Sequence, residues 1–154
     1  MKPISLEKTI LTAANNHSVT GKRLSIAVSG GPDSMAMAHA LIANQKEMDF
    51  DIEILHFNHQ IRGEDAKSDA RFVQTYFDSL GIPTFVSEKN VIKLSKQRRI
   101  SLETAARSAR YEFFANHINK KDNKSALVLG HNFEDQVETI LMHIIRGSGL
   151  NGLQ

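Results

Sequence analysis

The sequence predicts an α/β fold, a doubly wound parallel sheet with helices on both faces. Short apolar runs alternate along the chain with longer segments of helical periodicity, and this alternation is typical of parallel sheets with helical crossovers. The length of 154 residues corresponds to about one domain of roughly 150 residues. A hydrophobic fraction of 41% beside 23% charged residues supplies the apolar material for one core.

The predicted strands are short runs of apolar, strand-forming residues that end at glycine or polar residues. They cover residues 23–28, 52–57, 84–87 and 126–129. Ligands of open parallel sheets bind beyond the carboxyl ends of the strands. The segments to inspect for function are therefore those that follow the strands, residues 29–34, 58–65, 87–90 and 130–135.

The predicted helices have apolar residues at spacings of three and four. Met37, Leu41 and Ile42 share one side of the helix after the first strand. The helix after the second strand ends at Gly81 as its C′ residue, and Ser101 is the expected N-cap of a later helix. The apolar stripe of the second of these helices comprises Phe72, Val73, Tyr76, Phe77 and Leu80. The predicted helices cover residues 1–16, 34–46, 66–80, 101–117 and 133–146.

The composition excludes several classes of site. The sequence contains no cysteine, which excludes a disulfide framework, a Cys-based zinc or iron–sulfur site and thiol catalysis. No run approaches the roughly 18 to 20 apolar residues of a membrane span, and the start of the chain lacks the apolar run of a signal peptide. A cytoplasmic protein without membrane contact is expected.

The net charge of +2 hides an uneven distribution. Residues 89–124 contain ten basic and three acidic residues, a net charge of +7, and the rest of the chain sums to −5. Such a block is most often a solvated face, and a surface that binds a polyanion is the alternative.

The turn after the first strand has the composition of a phosphate cradle. Its glycines allow backbone N–H groups to point inward, its serines add hydroxyl donors, and the next helix contributes its positive N-terminus. An aspartate inside an anion cradle favours a Mg²⁺–nucleotide complex over bare phosphate. The alternative is an ordinary glycine turn in which the aspartate caps the helix. The turn comprises Ser29, Gly30, Gly31, Pro32, Asp33 and Ser34.

Two further motifs lie on predicted helices. In the last one, Asp135 and Glu138 share the face opposite the apolar stripe with Arg146, and His131 precedes the helix; this group suits cation or amine binding or acid–base chemistry, and a solvated polar face explains it equally well. In the helix after Ser101, Glu103, Arg107 and Arg110 are spaced by four and three residues. That spacing alone favours a surface ion-pair ladder over phosphate binding by two arginines.

Together these residues identify a resemblance to a known family. Ser-Gly-Gly-Pro-Asp-Ser after the first strand resembles the PP-loop of the ATP pyrophosphatases, with an adenine nucleotide alpha hydrolase-like fold, a group that includes GMP, NAD and asparagine synthetases and tRNA thiolases. Four more strings make the chain similar to the tRNA(Ile)-lysidine synthases over roughly residues 24–153. They are residues 56–63, 103–111, 130–139 and 146–150.

The resemblance implies a reaction and its substrates. ATP adenylates the 2-carbonyl oxygen of the wobble cytidine in tRNA(Ile) with a CAU anticodon, pyrophosphate leaves, and the ε-amine of free L-lysine attacks the activated carbon to give lysidine. ATP and Mg²⁺ are the implied cofactors. The resemblance also implies that residues 1–154 form part of an N-terminal PP-loop catalytic domain, cut before its last strand. C-terminal tRNA-binding domains would follow, and a homodimer of the full-length protein is a further expectation.

The resemblance also assigns roles to individual residues. Pyrophosphate falls to the PP-loop, Ser29 to Ser34, with Asp33 on Mg²⁺. Nucleotide or cytidine contacts fall to Asn58, His59 and Arg62. The phosphate side of the substrates falls to Glu103, Arg107 and Arg110, with Arg146 on a substrate phosphate. Catalysis with lysine and cytidine falls to His131, Asp135 and Glu138, beside Asp33.

Three other functions compete with this interpretation. A nucleotide-binding module of the universal-stress type would release no pyrophosphate in the presence of tRNA. A PP-loop tRNA thiolase commonly depends on cysteine chemistry that this chain cannot supply. An amide-forming synthetase such as NAD synthetase is disfavoured by the strings at residues 131–139 and 146–150.

Overall fold

The computed structural model describes residues 23–47, 49–118 and 125–130, together with Thr12. This part of the chain contains four strands and four helices, with one helix after β1, one after β2 and two between β3 and β4. The strands are β1 (Arg23–Ala27), β2 (Asp51–Asn58), β3 (Thr84–Glu88) and β4 (Ser125–Leu129). The helices are α1 (Pro32–Asn44), α2 (Glu64–Ser79), α3 (Val91–Arg98) and α4 (Leu102–Ile118).

The strands form one parallel sheet in the order β3-β2-β1-β4. The chain winds outward from β1 through β2 to β3 and then returns to β4 on the other side of β1. Two cores cover the two faces. One packs α1 and α2 against the sheet around Ile26, Ile54 and Phe77; the other packs α3 and α4 around Phe57 and Ala105. The predicted doubly wound α/β fold is confirmed, and the reversal of strand order next to β1 fixes where a ligand site is expected.

The predicted strands agree with the observed ones to within one residue at each end. At the end of α2, the Gly81 N–H donates to Asp78 O at 3.0 Å and the Ile82 N–H to Phe77 O at 3.0 Å. With Gly81 at φ +72°, these two bonds form the predicted glycine C-cap. Ser101 is confirmed as the N-cap of α4, because its Oγ accepts the Thr104 N–H at 3.0 Å.

Two expectations about the helices are wrong. The sequence pattern gave no helix between β3 and α4, where α3 forms with Asn90 as N-cap. The predicted stripe on α2 is too wide: Val73 and Phe77 are buried, but Phe72 and Leu80 are 54% and 47% exposed, because the sheet covers only the narrower face. The predicted helices over residues 1–16 and 133–146 lie outside the described residues, apart from Thr12.

A polar cluster is buried between the sheet and α4. Ser25 and Glu53 are register partners on β1 and β2, and the Ser25 Oγ–H donates to Glu53 Oε1 at 2.6 Å. The Nε2–H of His117, near the end of α4, donates to the same oxygen at 2.8 Å. Glu53 is 3% exposed, so these hydrogen bonds compensate part of the cost of burying its carboxyl group. The cluster fastens the end of α4 to the centre of the sheet.

In the described part of the chain, no helix has the length and apolar character needed to span a membrane.

Candidate functional site

The turn between β1 and α1 is closed by its own serines. Ser34 Oγ–H donates to Gly31 O at 2.9 Å, and the same oxygen accepts the Ser29 N–H at 3.2 Å. The two hydroxyl oxygens are 3.1 Å apart, and since the Ser34 proton is used on Gly31, Ser29 is the donor in that pair. Ser34 is buried and Ser29 is exposed. Both hydroxyls therefore hold the shape of the loop, and Ser29 is the serine at its exposed side.

Gly30 is required by the course of this loop. Its φ is +91°, a conformation that L side chains rarely adopt. A Cβ at this position would also lie 3.3 Å from Val73 Cγ2, and Val73 is fully buried on α2. Gly31 is the N-cap and Pro32 begins α1, which suits a residue without an N–H. The loop thus brings backbone N–H groups and a helix N-terminus to one place, the arrangement that binds anions.

A cavity of about 450 Å³ lies beyond the carboxyl ends of β1, β2 and β4. Its volume falls within the roughly 300 to 1,000 Å³ of small-molecule sites. The walls come from the PP-loop-like turn, the segment after β2, α4 and the end of β4. The predicted site residues that line it are Ser29, Ser34, Asn58, His59, Arg62 and Arg110.

His56 lines this cavity and was missed as a site residue by the sequence interpretation. Its Nδ1 lies 2.8 Å from Val28 O, and because a carbonyl oxygen only accepts, Nδ1 carries the proton. The side chain is 4% exposed, and burial lowers the pKa of His56. The ring is therefore neutral near pH 7 with Nε2 as an acceptor. The contact joins residues 28 positions apart, so no local pattern could have revealed it.

His59 and Arg110 line the cavity, and each has a buried polar atom without a partner among the described residues. His59 Nδ1 and Arg110 Nε are both inaccessible to solvent and unbonded there. Burial lowers the pKa of Arg110, and the nearby Arg107 charge lowers it further. Burial and then the Arg110 charge lower the pKa of His59. Because a guanidinium stays protonated in proteins, this poorly hydrated cation beside a neutral imidazole creates a position for an anion.

Asn58 and Arg62 already have partners within the chain. Asn58 Nδ2 donates to Ala66 O at 3.1 Å and its Oδ1 accepts the Gln60 N–H at 2.8 Å, so this amide holds the segment after β2 in shape. Arg62 forms a 3.4 Å ion pair with Asp69 and is 73% exposed. Such an exposed pair contributes little to stability, and Arg62 is free to exchange it for a ligand at the cavity mouth.

The remaining predicted residues divide into two groups. Asp33 is exposed in the first turn of α1, and Glu103 and Arg107 are exposed on α4; none of the three lines the cavity. The Arg107 guanidinium instead lies 5.2 Å from the centre of the Tyr111 ring. The other group, His131, Asp135, Glu138 and Arg146, lies outside the described residues.

A metal ion held by the protein alone does not fit the described residues. No group of three or more His, Asp or Glu side chains within residues 23–47, 49–118 and 125–130 is placed to hold one. The exposed Asp33 carboxylate at the anion-binding turn instead fits a Mg²⁺ ion that is shared with a bound phosphate. Mg²⁺ is commonly held by one or two carboxylates together with substrate phosphates.

Comparison with known proteins gives this geometry a family. A family model described as a PP-loop domain matches residues 4–154. The chain belongs to the PP-loop family. That family consists of ATP-using enzymes, in agreement with the cradle after β1.

Several curated relatives carry one name, tRNA(Ile)-lysidine synthase. The protein from Clostridioides difficile is 42% identical over 149 residues, 94% of this chain and 32% of the relative. The protein from Clostridium tetani is 41% identical over 133 residues, 86% of this chain and 28% of the relative. The protein from Dehalococcoides mccartyi is 36% identical, over 87% of this chain and 28% of the relative. The chain thus spans about a third of the length of these relatives.

Among solved structures, the chain is similar to the U34-tRNA thiolase from Methanococcus maripaludis, determined with its [4Fe-4S] cluster. The TM-score is 0.64 at 18% identity, over 91% of this chain and 52% of the thiolase. At this identity the likeness supports the fold of the PP-loop domain and no shared substrate.

Proposed function

We propose that this chain is the ATP-using part of a tRNA(Ile)-lysidine synthase. In the proposed reaction, the 2-carbonyl oxygen of the wobble cytidine attacks the α-phosphorus of ATP, and the bond to pyrophosphate breaks. The lysine ε-amine then attacks C2 of the adenylated base and loses a proton, and AMP leaves with the oxygen. The proposal is supported by the shared name of relatives that are 36% to 42% identical over most of this chain.

One structural observation favours ATP chemistry at this site. Ser29 and Ser34 of the anion-binding turn line the same cavity as Arg110, whose Nε is buried without a partner among the described residues. Backbone N–H groups and a guanidinium on two sides of a cavity suit a leaving pyrophosphate, whose charge grows as the α–β bond breaks. We assign Ser29 to Ser34 to that group and Arg110 to a phosphate oxygen, through the bidentate bonds that guanidinium groups form.

The divalent cation belongs to the same proposal. Bound Mg²⁺ would neutralise phosphate charge, and Asp33 is the described carboxylate next to the turn. Without a bound cation, the Asp33 carboxylate would repel a triphosphate held at the N-terminus of α1. The chain's own contribution is to place that carboxylate where the metal-bound phosphates arrive.

The base and the amine are assigned to the rest of the site. His56, with Nε2 as acceptor, and His59 are proposed to contact the cytidine or ribose, since both line the cavity. Asp135 and Glu138 are proposed to bind the lysine ammonium and His131 to assist proton transfer. These three assignments rest on the sequence, as does the assignment of Arg146 to a substrate phosphate. Glu103 and Arg107 remain proposed for the outer phosphate contacts.

The proposal is tested with the full-length enzyme, ATP, lysine and a tRNA(Ile) transcript with a CAU anticodon. Incorporation of lysine into the tRNA with release of pyrophosphate is expected. Asp33→Ala should abolish pyrophosphate release, whereas Asp135→Ala should reduce lysine use more than ATP binding. Asp78→Ala, at an exposed position in the last turn of α2, is the matched control and should retain activity. Pyrophosphate release at the parent rate by Asp33→Ala contradicts the metal assignment, and absence of lysine incorporation contradicts the function.

Thiolation is the second function that the fold allows. The solved relative is described with a [4Fe-4S] cluster, which cysteine thiolates normally hold, and these 154 residues contain no cysteine. Analysis of the product nucleoside by mass spectrometry separates the two reactions, because lysidine formation adds a whole lysine in place of the 2-oxygen and thiolation exchanges oxygen for sulfur.

A further inference from the structure

Four cations on and after α3 form an exposed surface. Lys93, Lys96, Arg98 and Arg99, which we call the α3 basic surface, are all exposed. No acidic residue lies in the sequence from Val91 to Leu102. Within the described ranges, none of the four takes part in an ion pair. Their charge is therefore uncompensated in this part of the protein.

Two other lysines in the described part of the chain differ in this respect. Lys89 pairs with Glu112 at 3.4 Å, and Lys67 pairs with Glu64 at 2.7 Å. Six of the ten basic residues at 89–124 thus have other contacts or lie outside the described residues, and the four of the α3 basic surface remain. Among these four, Lys93, Lys96 and Arg99 recur every third residue and therefore share one side of the helix.

The helix dipole explains only part of this charge. Cations in the last turn of a helix interact favourably with its dipole, which accounts for Lys96 and Arg98. Lys93 lies in the first turn, where a positive charge opposes that dipole. The backbone N–H of Lys93 donates to Asn90 Oδ1 at 2.8 Å. Because this capping side chain is a neutral amide, it does not offset the positive charge of Lys93.

The α3 basic surface begins at the rim of the cavity. The Val91 N–H donates to His59 O at 3.3 Å, and the Lys89 N–H donates to Asn58 O at 3.0 Å. Both acceptor residues line the cavity. The buried side of α3 packs on the half of α4 that carries Arg110, through Leu94 and its neighbours. At 1.5 Å per residue, α3 carries its charges over about 12 Å from that rim.

We propose that the α3 basic surface binds the phosphate backbone of the tRNA next to the nucleotide that enters the cavity. This inference rests on the proposed function. An enzyme that acts on a base must take it out of the stack, and the phosphates beside that base then lie at the cavity mouth. Exposed, unpaired lysine and arginine side chains bind such phosphates with release of counterions.

The test compares two variants of the full-length enzyme. The triple variant Lys93→Gln, Lys96→Gln, Arg99→Gln removes three charges and keeps polar side chains at these positions. The control is Lys46→Gln, an exposed lysine in the turn between α1 and β2, which precedes the amino end of β2, whereas the cavity lies at the carboxyl ends of the strands. Binding of a tRNA(Ile) transcript is measured by filter retention across about 0.1 to 0.4 M salt, with KM for ATP and the thermal midpoint measured in parallel.

The triple variant is expected to bind the tRNA at least about tenfold more weakly, and its log–log salt slope should be shallower by about two, at roughly 0.7 per lost single-strand contact. KM for ATP and the thermal midpoint should stay at parent values, and Lys46→Gln should match the parent throughout. If the triple variant binds the tRNA with the parent's affinity and salt slope, the inference is wrong. A surface that binds an acidic protein instead of tRNA would give this result. The proposed function is judged separately, by whether the parent enzyme forms lysidine. Lysidine formation by the parent keeps the proposed function even if the inference is wrong, and its absence contradicts the proposed function.

Discussion

Substitution of Gly30 by alanine tests whether the turn after β1 is the anion cradle. An L residue at a positive φ costs about 1 to 2 kcal/mol, and Gly30 has φ +91°. The new Cβ would lie 3.3 Å from Val73 Cγ2, and overpacking against a buried side chain adds about 1 to 3 kcal/mol. The two costs together strain the parent loop conformation by at least about 2 kcal/mol. We expect the loop to move to relieve this strain, which displaces the groups that bind the phosphates. Because a tenfold change in affinity corresponds to about 1.4 kcal/mol, ATP binding should weaken more than tenfold.

Gly81→Ala is the matched control for this substitution. Gly81 has φ +72° and nothing within 4 Å of its added Cβ, and it lies between α2 and β3, away from the cavity. It should lower the free energy of unfolding by about 1 to 2 kcal/mol and leave ATP affinity unchanged. Isothermal titration with ATP and urea unfolding of the full-length enzyme measure both quantities. Parent ATP affinity in Gly30→Ala, or an equal loss in Gly81→Ala, would refute the reasoning.

Three further substitutions test other parts of the site and its support. Arg110→Gln keeps polarity but removes the charge, and it should raise KM for ATP at least about tenfold, the loss of one charge-assisted contact of roughly 1.5 to 3 kcal/mol; a parent KM would place the phosphates elsewhere. The lowered pKa of His56 means that the unfolded chain binds a proton first, so stability is present above the unfolded pKa of about 6.5 and falls as the pH drops below it. His56→Gln should flatten that acid-side fall in urea midpoints, and an unchanged slope would show that His56 is not its source. Ser101→Ala should destabilise the protein by about 1 kcal/mol through loss of the α4 N-cap, seen as a lower urea midpoint with unchanged ATP affinity.

Local patterns in the sequence predicted most of the fold and the centre of the site. The strands, the Gly81 and Ser101 caps and the glycine turn depend on residues close together in the chain, which short-range rules describe. The helix α3 escaped because it has eight residues, too few for periodicity to stand out. The buried surroundings of His56 and Arg110 come from distant segments, so neither the fixed tautomer of His56 nor the unbonded Nε of Arg110 could be predicted from spacing.

The Ser25–Glu53–His117 cluster also bears on how the chain assembles. Its two contacts close separations of 28 and 64 residues, and ordering such loops costs entropy before any contact forms. The cluster is therefore expected to form late, after β1 and β2 have paired and α4 has docked. Arg110 lies on that same helix, so the binding cavity is complete only once this last step is made. Partially folded chains should accordingly be unable to hold nucleotide, and ligand binding should draw the folding equilibrium toward the finished sheet.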